Sequence, residues 1–571
     1  MISAPGLENV PVIGPLADAW SRIDPGKDGW DTEVLSAAVS AKLKELAESM
    51  EHPAEMSETA LAGLVDKGFK AGSLRSVVLE EIHRDSEFSV YRGRAEGTEG
   101  NGLLAGIRHL LAVFDHPDPV HVELKLYRIE SLPDKARAGV LVHLAGRAAS
   151  DRLQINTEWD TLWTADVDNP QLLGIKVKSY EEVRRLGDKG DALFADATAS
   201  VLGGTEAYGR QLLHSTDHWR GRVARDFGLD VVANHGLAIG DVNGDGLDDL
   251  YLCQQGGLPN RMFVRNPDGT LRDITVESAT GWLDYCASAL ILDFDNDGDR
   301  DLAVSQDFKI LFMDNLGKAK FELALGLGTH AQTFSISAAD FDLDGDLDLF
   351  MCGYNPAIDR GESGALGEPL PYHDAQNGGR NMLLRNDGNW EFVEVTAEVG
   401  LDQNNNRFSF AASWEDYDND GDPDLYVAND YGRNNLYRND GGKFSDVAAQ
   451  LGVEDMSAGM SASWADFNRD GALDLYISNM FSTAGNRITY QRQFKPGAGE
   501  DLLAGYRRHA RGNSLFEGMP GGGEFRDISL SAGVTMGRWA WGSRFADINN
   551  DGWQDLVVAN GFISAPDTGD L

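Results

Sequence analysis

Basic residues are scarce in this chain. Lysine and arginine number 50 against 91 aspartates and glutamates, a formal net charge of −41 over 571 residues. That deficit excludes the basic patch by which proteins hold nucleic acid, and it excludes electrostatic docking on an anionic membrane. Long apolar runs are also missing: no stretch approaches the ~20 residues of a membrane-spanning helix. The segment Met1–Trp20 lacks the basic start and apolar core of an export signal. Only three cysteines occur, Cys253, Cys286 and Cys352, too few for a disulfide framework. Each sits in an apolar or small-residue run and is expected to be a buried thiol in a strand. The 42% hydrophobic and 25% charged residues are ordinary for a packed chain and argue against disorder.

Composition shifts near residue 187. The first part, 1–186, reads as a small α+β domain. Apolar residues at helical spacing predict a helix over 31–50 with Asp31 as its N-cap, and further helices over 57–69 and 102–114. Strand-like runs follow at 120–130, 136–147, 153–166 and 171–182, an antiparallel meander whose outline resembles the cone-shaped SnoaL-like domains. His143 and Asp160 are the polar residues there that fit a pocket lining, although surface positions suit them as well.

From about residue 187 to 571 the chain is rich in Gly, Asn and Asp, and one decapeptide pattern, D-x-[DN]-x-D-G-x-x-D-L, recurs six times. Oxygen side chains occupy positions 1, 3, 5 and 9. They are Asp241, Asn243, Asp245 and Asp249; Asp293, Asp295, Asp297 and Asp301; and Asp340, Asp342, Asp344 and Asp348. The later copies carry Asp416, Asp418, Asp420 and Asp424; Asp466, Asn468, Asp470 and Asp474; and Asp547, Asn549, Asp551 and Asp555. A hard cation such as Ca²⁺ takes six to eight oxygen ligands, and a short loop delivers them by turning alternate side chains inward. Position 7 supplies a backbone carbonyl, so its side chain varies freely: Leu247, Asp299, Asp346, Asp422, Ala472 and Trp553. The Gly at position 6 permits the sharp turn. The pattern is no EF-hand, because position 10 is Leu and opens a strand. Up to six Ca²⁺ are expected. The first, fifth and sixth loops, with Asn at position 3 and an uncharged position 7, should bind more weakly.

Each loop is embedded in a larger unit. Small residues recur five and seven positions before the loop, as on a strand with one crowded face. Bulkier Phe334, Phe410, Met460 and Trp541 stand between them, suited to fill the gap between neighbouring sheets. Asn/aromatic strands ending in Asn-Asp-Gly turns follow, then a fourth strand. Loop starts are 52, 47, 76, 50 and 81 residues apart. Four strands at such a period indicate a β-propeller, six-bladed or, with a degenerate blade over 170–235, seven-bladed. The segment 194–204, FADATASVLGG, is expected to supply the outer strand that closes the last blade. The long intervals hold insertions at 354–378 and 483–510.

These repeats look like FG-GAP/VCBS repeats, the units of integrin-α-type propellers with calcium loops. DVNGDGLDDLYLCQQGGLPNRMF, RFSFAASWEDYDNDG, VANDYGRNNLYRNDGG and GRWAWGSRFADINNDGWQDLVVANGF resemble bacterial members of the cartilage acidic protein family. That resemblance implies a calcium-loop propeller and leaves the biological role open. The ASPIC/UnbV segment that often follows the propeller in that family is not found, which suggests a truncated chain.

The expected function is a non-enzymatic, calcium-binding propeller that presents a surface to a protein or glycan. Oligomeric state stays open. Calcium loops of ordinary affinity fill outside the cytosol, so a periplasmic, cell-surface or secreted location is favoured. The alternative is a carbohydrate-active, polysaccharide lyase-like enzyme with the two insertions as cleft walls. Its candidate polar groups are His214, His218, Trp219, His235, His373, Asp374, Arg433, Arg508 and His509, with Trp539 and Trp541 as sugar-stacking rings. That reading expects replacement of His373 or Arg508 to abolish turnover without altering the melt.

Overall fold

Leu35, Val39, Leu43, Leu46 and Met50 recur at three- and four-residue spacing and form one buried stripe on helix α1 (Asp31–Glu51). The cap position is Trp30, which makes no side-chain capping bond; Asp31, the expected cap, is the first helical residue, where its charge favours the helix N-terminus. This is a computed structural model that describes residues 30–187, 194–223 and 236–561, apart from 77, 94–101, 116–118, 216–217, 220, 357–372 and 522. The chain divides into two units, Met1–Ala195 with Thr483–Ala498, and Asp196–Ser482 with Gly499–Leu571.

In the first unit, α2 (Glu58–Leu61) begins at Ser57, whose hydroxyl accepts the Ala60 N–H. The helix expected over 57–69 ends there, and strand β1 (Val65–Ala71) takes the rest. Strands β2 (Leu79–Arg84) and β3 (Phe88–Gly93) precede α3 (Leu103–Leu111). The meander follows as expected: β4 (His121–Ser131), β5 (Lys135–Ala148), β6 (Asp151–Thr164) and β7 (Leu172–Arg185). The sheet runs β2-β3-β7-β6-β5-β4, with β1 parallel to β7. Strands β1 to β3 went unpredicted because they are largely polar and alternate weakly. Alternate residues Val140, Val142 and Leu144 of β5 and Leu153, Ile155 and Trp159 of β6 pack with the helices. His143 and Asp160 point to the other face, His143 bonded to Asn156 and Asp160 3.6 Å from Arg137. Helix Thr483–Ile488 also belongs here: Arg487 and Gln491 both donate to Glu33, and Arg128 lies 4.7 Å over the Tyr490 ring. The first half of the 483–510 insertion is therefore part of this unit and not a propeller wall.

The second unit is a series of small antiparallel sheets. The first is β8 (Leu237–Gly240), β9 (Asp249–Leu252), β10 (Arg261–Arg265) and β11 (Leu271–Asp273). The second is β12 (Cys286–Leu292), β13 (Asp301–Gln306), β14 (Lys309–Asn315) and β15 (Phe321–Gly328); the third is β16 (Ala331–Ala339), β17 (Asp348–Pro356), β18 (Met382–Asn386) and β19 (Phe392–Glu394). The fourth is β20 (Phe408–Glu415), β21 (Asp424–Asp430), β22 (Asn435–Asn439) and β23 (Phe444–Asp446); the fifth is β24 (Gly459–Ala465), β25 (Asp474–Asn479), β26 (Ser514–Gly518) and β27 (Phe525–Asp527). The sixth has two described strands, β28 (Ala540–Ala546) and β29 (Asp555–Asn560).

The first strands β8, β12, β16, β20, β24 and β28 pack each against the next. Their small residues permit this. A Cβ on Gly236 would meet the Ala287 carbonyl at 2.6 Å, Ser288 Oγ accepts the Ile336 N–H, and Ser461 bonds Ser543 at 3.0 Å. The bulky residues between them do not simply fill gaps between adjacent sheets. Phe410 lies 5.3 Å from Phe334 and 5.8 Å from Trp541, so rings from the third, fourth and sixth sheets cluster together. The segment 194–204 is not a strand: Thr198–Leu202 is helical, and Leu202 packs with Phe263 of the first sheet. Of the segments it resembles, FRDISLSAG and FVEVTAEVG, the first also carries a helical turn, Ser529–Ala532. The three cysteines are buried free thiols, Cys286 and Cys352 in strands as expected and Cys253 just after β9.

In three of the sheets one buried asparagine joins neighbours. Asn315 donates from Nδ2 to the Val242 carbonyl in the preceding loop and to Arg300 in its own (2.9 and 2.8 Å). Asn386 joins Phe294 and Leu347 in the same way, and Asn439 joins Phe341 and Pro423. In the fifth sheet this position is Gly518, where a Cβ would meet the Leu473 carbonyl at 2.2 Å. Replacing Asn439 by Ala leaves two buried carbonyls unpaired, and urea denaturation should show a loss of about 1–3 kcal/mol; Asn266, which bonds only its own turn residue Thr270, should tolerate Ala with far less loss.

Candidate metal centres

Each loop closes on its own acidic side chains before any ion is considered. In the first loop the Asp241 carboxylate accepts the N–H groups of Gly244 and Gly246, and Asp245 accepts that of Leu247. The same bonds to positions 6 and 7 recur in the other loops, for example from Gly298 to Asp293 and from Asp299 to Asp297. Two successive turns are left-handed. Gly at position 6 has φ near 83° at Gly246 and 99° at Gly345. Position 4 is left-handed too, which suits Gly244, Asn296, Asn419 and Asn550 and makes Leu343 and Arg469 the strained members. This explains the Asn/Gly preference at position 4 that the oxygen pattern alone does not.

Position 9 clasps the loop to the sheet. Asp301 accepts the Phe294 N–H and the Asn315 N–H, one on each oxygen, at 2.9 Å each. Asp249, Asp348, Asp424 and Asp474 repeat the arrangement, each accepting one bond from position 2 and one from the third strand. Burial, opposed by these N–H groups, pushes Asp301, Asp348 and Asp424 up to about 7 and Asp474 to about 6. Burial and then neighbouring carboxylates also raise Asp295, Asp342 and Asp418.

Carboxylate oxygens converge in three loops: Asp293, Asp295 and Asp297; Asp340, Asp342 and Asp344; and Asp416, Asp418 and Asp424, each set within 4.8 Å. These are the loops with Asp at position 3. Asn243, Asn468 and Asn549 hold the same place in the others with an amide oxygen, and each accepts the N–H of position 5. One buried oxygen of Asp293 and one of Asp418 have no hydrogen-bond partner. A buried, unpaired anionic oxygen is costly, and a divalent cation is the partner this donor set fits. Sequence reasoning missed Asp314. It replaces the arginine found at Arg385 and Arg438, and its carboxyl is raised by burial and by Asp295 and Asp297. The second loop is thus the most anionic.

Five residues singled out for possible catalysis do come together. The His373 ring is 4.5 Å from Tyr506, Asp374 pairs with Arg407 and Arg433 (2.9 and 3.3 Å), and Arg433 reaches Glu454 at 2.7 Å. Arg508 holds buried Asp455 at 2.7 Å and Asp527 at 3.1 Å. His509, held down to about 4 by burial and then by His373, stands 6.3 Å from Tyr431. These cations are matched by carboxylates, which makes the group a clasp for the segment 499–511. His214, His218 and Trp219 form a separate local cluster, the two imidazoles stacked at 3.8 Å. Trp539 lies 6.5 Å from Trp541. His235 and most of the 354–378 insertion lie outside the described residues.

Two outcomes follow from this geometry. Carboxylates raised in the folded state are protonated more readily there than when unfolded, so their burial costs stability as pH rises from about 4 to 7; calcium should therefore raise the melting temperature of chelator-stripped protein more at pH 7.5 than at pH 5.5. Arg508→Ala leaves Asp455 buried without its cation and should cost about 3–5 kcal/mol in urea denaturation, against the expectation of an unchanged melt.

With the geometry in place, comparison with known proteins is informative in one respect. A family model described as an FG-GAP-like repeat matches residues 241–304, 293–351 and 416–477. No match was found among the curated proteins. Among solved structures the chain is similar to an Agrocybe aegerita lectin that recognises non-reducing terminal N-acetylglucosamine (16% identity, 57% of this chain and 74% of that one, TM-score 0.34). It is similar also to the V. cholerae biofilm matrix protein Bap1 (15%, 44% and 35%, TM-score 0.26) and to the Kfla4162 protein from Kribbella flavida (11%, 26% and 92%, TM-score 0.19). Likenesses of this strength assign neither fold nor activity. The matched spans each contain two of the acidic loops and the strands between them, and the chain carries three FG-GAP-like repeats.

Proposed function

We propose that the second unit is a calcium-stabilised, propeller-like interaction module, presenting a surface to a protein or a glycan outside the cytoplasm. The observation that carries this is the convergence of three carboxylates in each of three loops, within FG-GAP-like repeats. Closure of the six sheets into a ring, with a blade order like that of the bacterial cartilage acidic proteins, belongs to the same proposal. The ions would be structural. Each would neutralise one loop, lock the turn between first and second strands, and so fix the spacing of the innermost strands. Free calcium outside the cytosol is high enough to fill sites across the ~10⁻⁷ to 10⁻³ M range without regulation. Among the described residues no helix is long and apolar enough to cross a membrane. The pairing of Arg433 and Arg508 with Asp374, Glu454 and Asp455 supports a binding scaffold over a reaction centre.

Metal analysis of the purified chain, paired with melts before and after a calcium chelator, is the deciding experiment. Three to six Ca²⁺ per chain are expected, with a clear fall in melting temperature on chelation, because an ion bound only by the folded state stabilises it by mass action. Absence of calcium with an unchanged melt would sink the proposal. Asp418→Asn should remove one ion and lower the melt, whereas Asn549→Ala should do less.

A further inference from the structure

Across strands β5, β6 and β7 three arginines stand directly opposite one another: Arg147 faces Arg152, and Arg152 faces Arg185. Residues so opposed share one face with Cβ atoms ~4.5–5.5 Å apart, and like charges in that position destabilise a sheet. The face is the one turned away from the helices, since Leu144, Leu153 and Ile155, which alternate with it, fill the helix-packed core. In a chain of net charge −41, a row of cations placed at a cost to stability asks for a purpose.

Arg152 and Arg185 line a cavity of about 530 Å³ at this end of the sheet. Phe88, which pairs with Arg185, and Val183, which pairs with Gln154, are the apolar lining residues on the arginine face, and Glu51, His52 and His121 also line the cavity. Glu51 is already engaged: it accepts the Val122 N–H at 3.2 Å and lies 3.7 Å from His121 Nδ1. Glu87 is 3.9 Å from Arg185. Arg152 makes no ion pair or side-chain hydrogen bond among the described residues. Arg147 and Arg185 have partners of their own, and Arg152 is the member of the row whose guanidinium fork is unengaged among the described residues.

We propose that this cavity binds a small organic carboxylate with an apolar body. The apolar part would lie on Phe88 and Val183, and the carboxylate would take a bidentate pair of hydrogen bonds from Arg152, with Arg185 alongside. A guanidinium matches a planar carboxylate in this two-point way. A doubly charged phosphate would gain less, because the nearby carboxylates repel it and it offers nothing to the apolar lining.

Calorimetric titration of the whole chain with 2-naphthoate, 2-naphthamide and inorganic phosphate tests this. The carboxylate should bind, with its neutral amide and phosphate at least tenfold weaker. Arg152→Ala should weaken 2-naphthoate at least tenfold, and Arg152→Lys, which keeps the charge but loses the fork, should recover only part. The melt of Arg152→Ala should stay unchanged or rise, since a like-charge contact is removed and no bond is lost, so a lost titration signal there reports binding and not unfolding. Absence of 2-naphthoate binding, equal binding of the amide or phosphate, or binding indifferent to Arg152→Ala overturns the proposal.

Discussion

Carboxylate crowding is the constraint on which the second unit depends. Each loop holds three to five acidic side chains within nine residues, and at separations of a few ångströms their repulsion is strong wherever water is thinned out. The chain meets part of this cost itself. Backbone N–H groups of the loop turn inward onto positions 1 and 5, and the position 9 carboxylate is held between the loop and the third strand. What remains are the converging oxygens of positions 1 and 3 with position 5 or, in the fourth loop, position 9, including the unpaired ones of Asp293 and Asp418. A divalent cation could occupy such a donor set.

The same loops set the relation between sheets. Position 2 of each loop offers a carbonyl outward, and in three junctions a buried asparagine of the next sheet takes it. Position 9 of the asparagine's own loop fixes its backbone. Loop conformation is therefore coupled to the docking of neighbouring sheets. The fifth sheet lacks this link at Gly518. At its other junction Ser461 bonds Ser543 of the sixth sheet, and Arg469 of the fifth loop lies 3.8 Å over the Trp553 ring of the sixth.

The clasp around Arg433 and Arg508 illustrates how charge can be organised without being reactive. Arg407, Arg433 and Arg508 are each answered by a carboxylate. Asp455, deeply buried, also accepts from Asn479 and Ser514. Such a network is expensive to break and gains specificity of packing more than net stability. The arginine row of the first unit is the opposite case, in which like charges stand directly across strands and Arg152 has no ion pair among the described residues.

Much of this was legible in the sequence, and for a clear reason. Position-specific oxygens, the left-handed glycine and the leucine opening each second strand are local requirements, so six copies spell them out, as do the meander of β4 to β7 and the burial of the cysteines. What only the tertiary structure decided is non-local. Segment 194–204 reads as an outer strand yet is helical over Thr198–Leu202, since a single helical turn leaves no periodicity to tell it from a short strand. Phe334, Phe410 and Trp541 cluster across three sheets, which strand periodicity cannot express. The insertion 483–510 is shared between two units. Arg147, Arg152 and Arg185 become a row only through register, since direct opposition across strands is set by pairing and not by spacing along the chain.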